Sequence, residues 1–257
     1  MYQDANFKFN ESGFYLAKGL FNEKAMAIIE KDFDRVVDQI KKSGENINAR
    51  WGSKLTEHIE SQDSSVIHTH NVQGYSHQML KMIQDTQLLD VTESLIGNNI
   101  VLHHTKLFLK PPKNGSAFPL HQDWSYFPTK ENSMIAAVVH LSDCHNDMGR
   151  IRVVEGSHEL GRIQGSDGHS SLEEIHGKYD LESATPVTAK KGDVFFFHCC
   201  TLHGSKANRS NYPRKTILIQ LYSGNDKIEE SSHTNLQLTL RGWNYHATRN
   251  NLDSIRG

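Results

Sequence analysis

The sequence predicts a mainly β protein with some α-helix: a double-stranded β-helix, the jelly-roll or cupin-like fold, with N-terminal helices packed on it. Apolar residues in the first third recur at helical spacing, whereas beyond Asn99 short runs of β-branched and aromatic residues alternate with period two. Turn residues separate these runs and no convincing helix lies between them. That pattern favours antiparallel sheets over a βαβ fold.

Two helical regions are predicted in the N-terminal part. Across residues 22–42, apolar side chains recur at alternating steps of three and four, the spacing of an amphipathic helix. Gly44 follows, where the helix is expected to end. A second helical stretch covers residues 77–96, with an expected break near Asp85 and a stop at Gly97.

The second part of the chain is predicted to hold the β core. Strands are expected at residues 100–109, 134–141, 151–154, 194–197 and 216–221. Residues 159–182 are polar and punctuated by glycine, so we expect a long loop over the barrel mouth. The expected organisation is a single domain over residues 1–257, with a mainly helical part at 1–98, the jelly-roll core at 99–225 and a C-terminal extension at 226–257.

Composition restricts the classes of partner. A formal net charge of -2 with interspersed signs gives no basic stripe for nucleic acid. No apolar run approaches the roughly 20 residues that cross a bilayer, and residues 1–4 lack a basic-then-apolar signal pattern. Three cysteines without a C-x-x-C pair favour a reducing, cytoplasmic setting. We expect a small-molecule substrate, no nucleic acid, no membrane, and a monomer or homodimer.

The strongest chemical signal is a candidate metal site. His121 and Asp123 are separated by one residue, so on an extended strand both side chains point to the same face. His203, at the end of a later strand, is the candidate third ligand. Two histidines and one carboxylate leave open coordination positions on one side of the metal, an arrangement that suits iron(II). An H-x-D pair alone is a weak signal, because it arises by chance in a chain with 16 histidines.

Arg214 strengthens this signal. It lies eleven positions beyond His203, and the turn-forming residues 208–213 between them predict a hairpin. In such a hairpin Ser205 and Arg214 share the inward face with His203. A guanidinium is a planar fork that binds a carboxylate with two hydrogen bonds, as lysine does not, so the pattern predicts a site for a dicarboxylate.

In these motifs the chain resembles the phytanoyl-CoA dioxygenase family of Fe(II)- and 2-oxoglutarate-dependent oxygenases. The resemblance covers roughly residues 99–221. The segments that carry it are Lys110-Pro111-Pro112, the run from Pro119 to Pro128 with His121-Gln122-Asp123, Gly156-Ser157-His158, Lys191-Gly192-Asp193, and His203-Gly204-Ser205 followed by Arg214.

The resemblance implies a residue-by-residue assignment. His121, Asp123 and His203 would bind Fe(II), and Arg214 and Ser205 would hold the distal carboxylate of 2-oxoglutarate, with O2 as the other co-substrate. Relatives that halogenate have a small residue in place of the aspartate, so Asp123 implies hydroxylation or a related oxidation. The expected reaction is oxidation of an unactivated C–H bond of a small molecule with release of succinate and CO2.

Further candidates have both a functional and a structural interpretation. Lys106 could anchor an acidic substrate or 2-oxoglutarate, and Asn71 is a weaker candidate for the co-substrate. Four residues are candidate substrate contacts, namely Trp124, Tyr126, Arg152 and Trp51. The structural alternatives are core packing for the first two, edge-strand solubility for the arginine and an exposed turn for Trp51.

Three alternatives to this enzyme remain open. One is a non-catalytic jelly-roll module that binds a metal and a carboxylate without turnover. Another is a cupin-like isomerase or hydrolase that uses zinc in the same pocket. The third is an acyl-CoA α-hydroxylase rather than an oxidase of a small amino acid or specialised metabolite.

Overall fold

The computed structural model describes residues 4–44, 46, 48, 63–145, 147–163, 172–229 and 237–248. The helices span Ala5–Ser12 (α1), Glu23–Lys42 (α2), His77–Ile83 (α3), Thr86–Ile96 (α4) and Leu172–Lys178 (α5). The strands span Phe14–Ala17 (β1), Ile67–His70 (β2), Ile100–Lys110 (β3), Phe118–His121 (β4), Ile135–His140 (β5), Ile151–Val153 (β6), Thr185–Pro186 (β7), Val194–His198 (β8), His203–Ser205 (β9), Arg214–Ser223 (β10) and Leu238–Arg241 (β11).

The strands form two antiparallel sheets. The larger sheet has the order β1-β8-β5-β10-β3-β11, with β2 also pairing with β3, and the smaller sheet has the order β4-β9-β6-β7. Adjacent strands in each sheet come from distant parts of the sequence, as jelly-roll connectivity requires. The prediction of a mainly β, jelly-roll fold with packed N-terminal helices is confirmed.

The predicted helices are confirmed, with their caps. Helix α2 begins after Asn22, whose side chain accepts a hydrogen bond from the backbone N–H of Ala25 over 2.9 Å. The predicted break near Asp85 separates α3 from α4, and the Asp85 carboxylate caps α4 by accepting from the N–H of Gln87 over 2.9 Å. Helix α4 stops before Gly97, which has a φ of 88°.

Several elements differ from the sequence prediction. The N-terminal part also supplies strands β1 and β2 to the larger sheet, and residues Leu238–Arg241 of the tail pair with β3. Within the expected loop at residues 159–182, Leu172–Lys178 is helical, and residues 164–171 lie outside the described part of the chain. Within the described residues, no helix is both long and apolar enough to span a membrane.

The two faces of the larger sheet are both buried. Along β5, Ile135, Ala137 and Val139 belong to the apolar cluster shared with the helices. Ala136 and Val138 alternate with them and belong to the cluster between the sheets. The strand therefore divides two buried interiors, one packed by helices and one facing the smaller sheet.

Packing of α2 can be tested with two adjacent isoleucines. Ile29 is 5% exposed in the helix–sheet cluster, whereas Ile28 is 45% exposed. We expect Ile29→Ala to lower the free energy of unfolding by about 2–5 kcal/mol, because it leaves a cavity. Ile28→Ala should cost well under about 1 kcal/mol. Urea denaturation of both variants checks this, and equal losses would contradict the packing described here.

Candidate metal centre and its cavity

The two predicted histidine ligands lie side by side in the smaller sheet. His121 is the last residue of β4 and His203 the first of β9, and they are direct partners in the antiparallel register. Residues opposite each other in such a pair point to the same face, and the ring centroids are 4.3 Å apart. Gly204 permits the close approach of the strands, because a Cβ there would lie 2.8 Å from the carbonyl oxygen of Phe118.

Asp123 joins the histidines from just beyond the end of β4. The prediction that both motif residues lie on one extended strand is wrong in detail: the strand ends at His121, Gln122 is extended, and Asp123 begins a 3-10 helix, Asp123–Ser125. Asp123 Oδ1 lies 3.8 Å from Nε2 of His121 and 3.5 Å from Nε2 of His203. The three candidate ligand atoms all lie within 4.8 Å of one another.

Hydrogen bonds behind both rings determine which nitrogen faces the centre. Nδ1 of His121 lies 2.8 Å from the carbonyl oxygen of Pro119, and Nδ1 of His203 lies 3.0 Å from that of Thr201. A carbonyl oxygen only accepts, so each Nδ1 carries the proton and each Nε2 presents a lone pair. Burial and the neighbouring His203 lower the pKa of His121 to about 3, so its imidazole is neutral.

Gln220 on β10 orients the carboxylate. Its Nε2 donates to Oδ2 of Asp123 over 2.6 Å, which leaves Oδ1 toward the histidines. Two imidazoles and one carboxylate that converge from one side are the donor set of non-haem iron(II) sites. The triad therefore fits an iron site. Gln220 was not predicted from the sequence, although the residue shares the alternation of Arg214 along one strand.

A cavity of about 440 Å³ lies beside the triad. Its polar lining includes Lys106, Ser205, Arg214 and Thr216, along with the triad itself. Much of the remaining wall is apolar, formed by Phe108, Phe118, Val138, Ile151, Phe197 and Leu218. An apolar cavity with a few converging polar groups is the usual form of a small-molecule site.

Arg214 enters this cavity as a buried cation. The side chain is 4% exposed, and its Nη1 donates a hydrogen bond to the carbonyl oxygen of Gly149. Burial lowers its pKa, but a guanidinium stays charged in proteins. Its Nε is buried without a hydrogen-bond partner among the described residues. A donor left over at the cavity wall suits an incoming carboxylate.

The predicted hairpin between His203 and Arg214 is wrong. The strand β9 pairs with β4 and β6 in the smaller sheet, whereas β10 lies between β3 and β5 in the larger sheet. The turn-forming residues 208–213 carry the chain from one sheet to the other instead of closing a hairpin. Ser205 and Arg214 still line one cavity, but from opposite sheets.

Lys110 supports Ser205 from behind, and the sequence did not predict it as a site residue. Its side chain is fully buried, and its Nζ donates to Oγ of Ser205 over 2.7 Å and to the carbonyl oxygen of Lys206 over 2.8 Å. Because the ammonium occupies an acceptor position of the Ser205 hydroxyl, the hydroxyl proton can point elsewhere. Lys110 is also the register partner of Arg214, so two cations lie at this end of the cavity.

Lys106 is a third cation, close to the triad. It lines the cavity, and its Nζ lies 5.0 Å from the centroid of the Phe127 ring. Burial lowers its pKa to about 8, although the charge of Asp123 acts in the opposite direction. The described residues give its ammonium no hydrogen bond or ion pair, a costly state for a charge in an apolar setting.

The remaining candidates separate into two groups. Tyr126 lines the cavity, and its ring lies edge-on to His121 at 6.3 Å. Trp124 lies outside the lining, where its Nε1 donates to Oε1 of Gln122 over 2.6 Å. Trp124 lies within the 3-10 helix Asp123–Ser125, and Tyr126 directly follows it.

Arg152 and Asn71 do not reach the cavity. The Arg152 Nε donates to the carbonyl oxygen of Ala184 over 3.1 Å, so the side chain holds β6 to the segment before β7. The Asn71 side chain accepts from Gln73 over 3.4 Å. Trp51 lies outside the described residues. His68 of β2, which was not among the predicted site residues, lines the cavity.

Comparison with known proteins agrees with this geometry. The family model described as "Phytanoyl-CoA dioxygenase (PhyH)" matches residues 9–216. A peroxisomal phytanoyl-CoA dioxygenase of Bos taurus is 28% identical over 247 residues, covering 89% of this chain and 72% of that protein. A probable phytanoyl-CoA dioxygenase of Caenorhabditis elegans is 35% identical over 147 residues, covering 51% of this chain and 46% of that protein.

Solved structures share the fold. The 2-oxoglutarate-dependent carbocyclase SnoK from nogalamycin biosynthesis has a TM-score of 0.75 at 18% identity, covering 91% of this chain and 89% of its own. EctD from S. alaskensis, solved with 2-oxoglutarate and 5-hydroxyectoine, has a TM-score of 0.67 at 19% identity, covering 90% of this chain and 79% of its own. The chain therefore belongs to the phytanoyl-CoA dioxygenase family of non-haem iron, 2-oxoglutarate-dependent oxygenases.

Proposed function

We propose that this protein oxidises an unactivated C–H bond of a small molecule, with His121, Asp123 and His203 as the iron ligands. The convergence of this triad and Arg214 on one cavity is the observation that carries the proposal. When bound, iron and 2-oxoglutarate supply the oxidising chemistry: one O2 and one 2-oxoglutarate are consumed, succinate and CO2 are released, and the second oxygen atom passes to the substrate as a hydroxyl group.

The protein's own contribution is to hold and orient the side chains that would bind the metal. The carbonyl oxygens of Pro119 and Thr201 keep both imidazoles in the Nε2-ligating tautomer, and Gln220 restricts rotation of the Asp123 carboxylate. Such supporting hydrogen bonds commonly change metal affinity by about 10–100-fold. No general base is needed, because the reaction removes no proton from the substrate.

The co-substrate is proposed to bind with its distal carboxylate at Arg214 and Ser205. The Arg214 Nε has no partner in the described part of the chain, and the Ser205 hydroxyl can donate because Lys110 occupies an acceptor position. Arg214 and Ser205 are 4% and 3% exposed beside an apolar wall, and burial of this kind strengthens the interaction with a carboxylate.

The substrate is proposed to be a small anionic metabolite, such as an amino acid or another carboxylic acid. Of the described residues that line the cavity, only Asp123 is acidic. Iron(II) and Arg214 carry three positive charges, which Asp123 and a 2-oxoglutarate dianion balance, so the ammonium groups of Lys110 and Lys106 are positive charges beyond this balance. The Lys110 ammonium donates to Ser205, whereas the described residues give that of Lys106 no hydrogen bond. A cation in this position, next to the triad, favours an anionic group on the substrate.

The proposal also includes a cytoplasmic setting and a monomeric or homodimeric state. All three cysteines are free and buried within the fold, which suits a reducing compartment. The relatives named phytanoyl-CoA dioxygenase in mammals are peroxisomal, so fractionation of the producing cells discriminates between the two compartments.

The iron site is tested by anaerobic addition of Fe(II) and 2-oxoglutarate to the purified protein. We expect the weak visible charge-transfer absorption that the two develop together at a two-histidine, one-carboxylate site. Asp123→Ala should abolish it, and Asp143→Ala, at an acid outside the cavity, should not. In air, succinate release then separates an oxygenase from a binding module. A wild-type protein without the absorption would refute the proposed function, and zinc-dependent turnover would favour the hydrolase alternative.

The carboxylate site is tested by Arg214→Met. We expect the dissociation constant for 2-oxoglutarate to rise by about tenfold or more, since a hydrogen-bonded charge is lost, while that for Fe(II) changes by less than about twofold. Arg209→Met removes the same charge from an exposed position and should leave both constants unchanged. If Arg214→Met raises the dissociation constants for Fe(II) and for 2-oxoglutarate equally, the assignment of Arg214 to the carboxylate site is contradicted.

The substrate class is tested by Lys106→Met, with the exposed Lys81→Met as control. Small carboxylic acids and their primary amides are compared by the succinate they release from the wild-type protein. We expect carboxylates to be the better substrates and their KM to rise about tenfold or more in Lys106→Met alone, because the counter-charge is lost. If the variant instead impairs saturation by the co-substrate more than saturation by the carboxylate substrate, Lys106 belongs to the co-substrate site.

A further inference from the structure

His140 is a buried side chain that the chemistry described so far does not use. It is the last residue of β5 and is 1% exposed. In the antiparallel register it lies opposite Thr216 of β10, which lines the cavity. Opposite residues point to the same face of a sheet, as Val138 and its partner Leu218 do in the same wall. His140 is therefore on the inner face, in the row of residues next to Arg214.

Neither ring nitrogen of His140 has a hydrogen-bond partner in the described part of the chain. Burial and the charge of Arg214 lower its pKa to about 3, so the ring is neutral, with one N–H donor and one acceptor. Buried polar groups in proteins are nearly always hydrogen-bonded, and each exception calls for an explanation such as a missing water or ligand. A phenylalanine or leucine would fill the same space without this cost.

Arg214 has the same unusual feature. Its Nε–H is buried without a partner among the described residues, although its Nη1 reaches Gly149. Because His140 is opposite Thr216, Arg214 is its diagonal neighbour, a separation of roughly 7–8 Å between backbones that long side chains can bridge. Two N–H donors without a partner among the described residues therefore come from neighbouring strand positions, and one of them, that of Arg214, lines the cavity. The ligand chemistry that satisfies both is an oxygen acceptor with negative charge.

We propose that His140 is a positioning residue of the co-substrate site: its N–H and the Nε–H of Arg214 share an oxygen acceptor that arrives with the distal carboxylate of 2-oxoglutarate. This inference rests on the proposed function. The His140 ring is not among the residues that line the cavity, so His140 acts on the carboxylate indirectly. By sharing an acceptor with Arg214, it orients the guanidinium that binds the carboxylate.

The test compares two 2-oxo acids of equal chain length in the presence of Fe(II) without oxygen. 2-Oxoglutarate carries the distal carboxylate, and 2-oxopentanoate lacks it. Dissociation constants are measured from the visible absorption for the wild-type protein, His140→Phe and His140→Gln. We expect His140→Phe to raise the dissociation constant for 2-oxoglutarate by about tenfold and to change that for 2-oxopentanoate by less than about twofold. His140→Gln, which keeps a donor, should recover part of the loss.

Thermal unfolding gives a second readout. His140→Phe removes an imidazole that has no hydrogen-bond partner among the described residues. The Tm of ligand-free His140→Phe should therefore equal or exceed that of the wild-type protein, so weaker binding cannot be ascribed to poor folding. His158→Phe is the control, because this half-buried histidine bonds the carbonyl oxygen of Asn10 and lies outside the cavity lining. It should leave both dissociation constants unchanged.

Either of two results with His140→Phe would overturn the inference. If His140→Phe changes neither constant, or weakens both 2-oxo acids equally, His140 is a packing residue. If the phenylalanine variant does not fold, the same comparison on His140→Gln decides, with equal effects on both acids counting against the proposal. Absence of the absorption in the wild-type protein would instead refute the proposed function and this inference with it.

Discussion

The site depends on the register between β4 and β9. His121 and His203 share a centre because they are direct partners across an antiparallel pair. A slip of one residue would turn one imidazole to the opposite face of the sheet. Gly204 keeps the strands close, since a Cβ there would meet the backbone of β4, and the carbonyl oxygens of Pro119 and Thr201 orient the rings. The positions of the two imidazoles are thus determined by backbone pairing between β4 and β9.

Strand β10 of the larger sheet carries both Arg214 and the residue that bonds Asp123. Along β10, Arg214, Thr216 and Leu218 line the cavity on alternate positions, and Gln220 continues the row to reach Asp123. The strand lies between β3 and β5 over most of its length, so its position is determined on both sides. A shift of β10 would therefore move the proposed carboxylate site at Arg214 and the hydrogen-bond donor to Asp123 together.

The sequence predicted what depends on local patterns. Helix α2, the break before α4 and the positions of the long strands follow from periodicity and capping. His121, Asp123 and His203, which the sequence grouped together, lie within 4.8 Å of one another.

The predicted hairpin before Arg214 is wrong because turn residues show where a chain reverses but not which sheet receives the next strand. Strands β1 and β2 are short and gain stability only from distant partners, so they carry little local signal. The surroundings of His140 on β5 and Lys110 on β3 were not predicted for a related reason: both faces of the larger sheet are buried, so neither strand shows the alternation that separates inside from outside. Only the tertiary structure shows that the His140 ring has no hydrogen-bond partner among the described residues and that Lys110 supports Ser205.

The buried charges around the cavity favour anionic ligands. Arg214, Lys110 and Lys106 are placed around an apolar cavity whose described lining contains one acid. Removing cations from water costs several kcal/mol each unless counter-charges are near. These buried cations therefore destabilise the ligand-free fold, and a dicarboxylate and an anionic substrate would offset that cost. Ligands that bind only the folded state stabilise it by mass action, so occupancy of this cavity and stability of the two sheets around it are physically coupled.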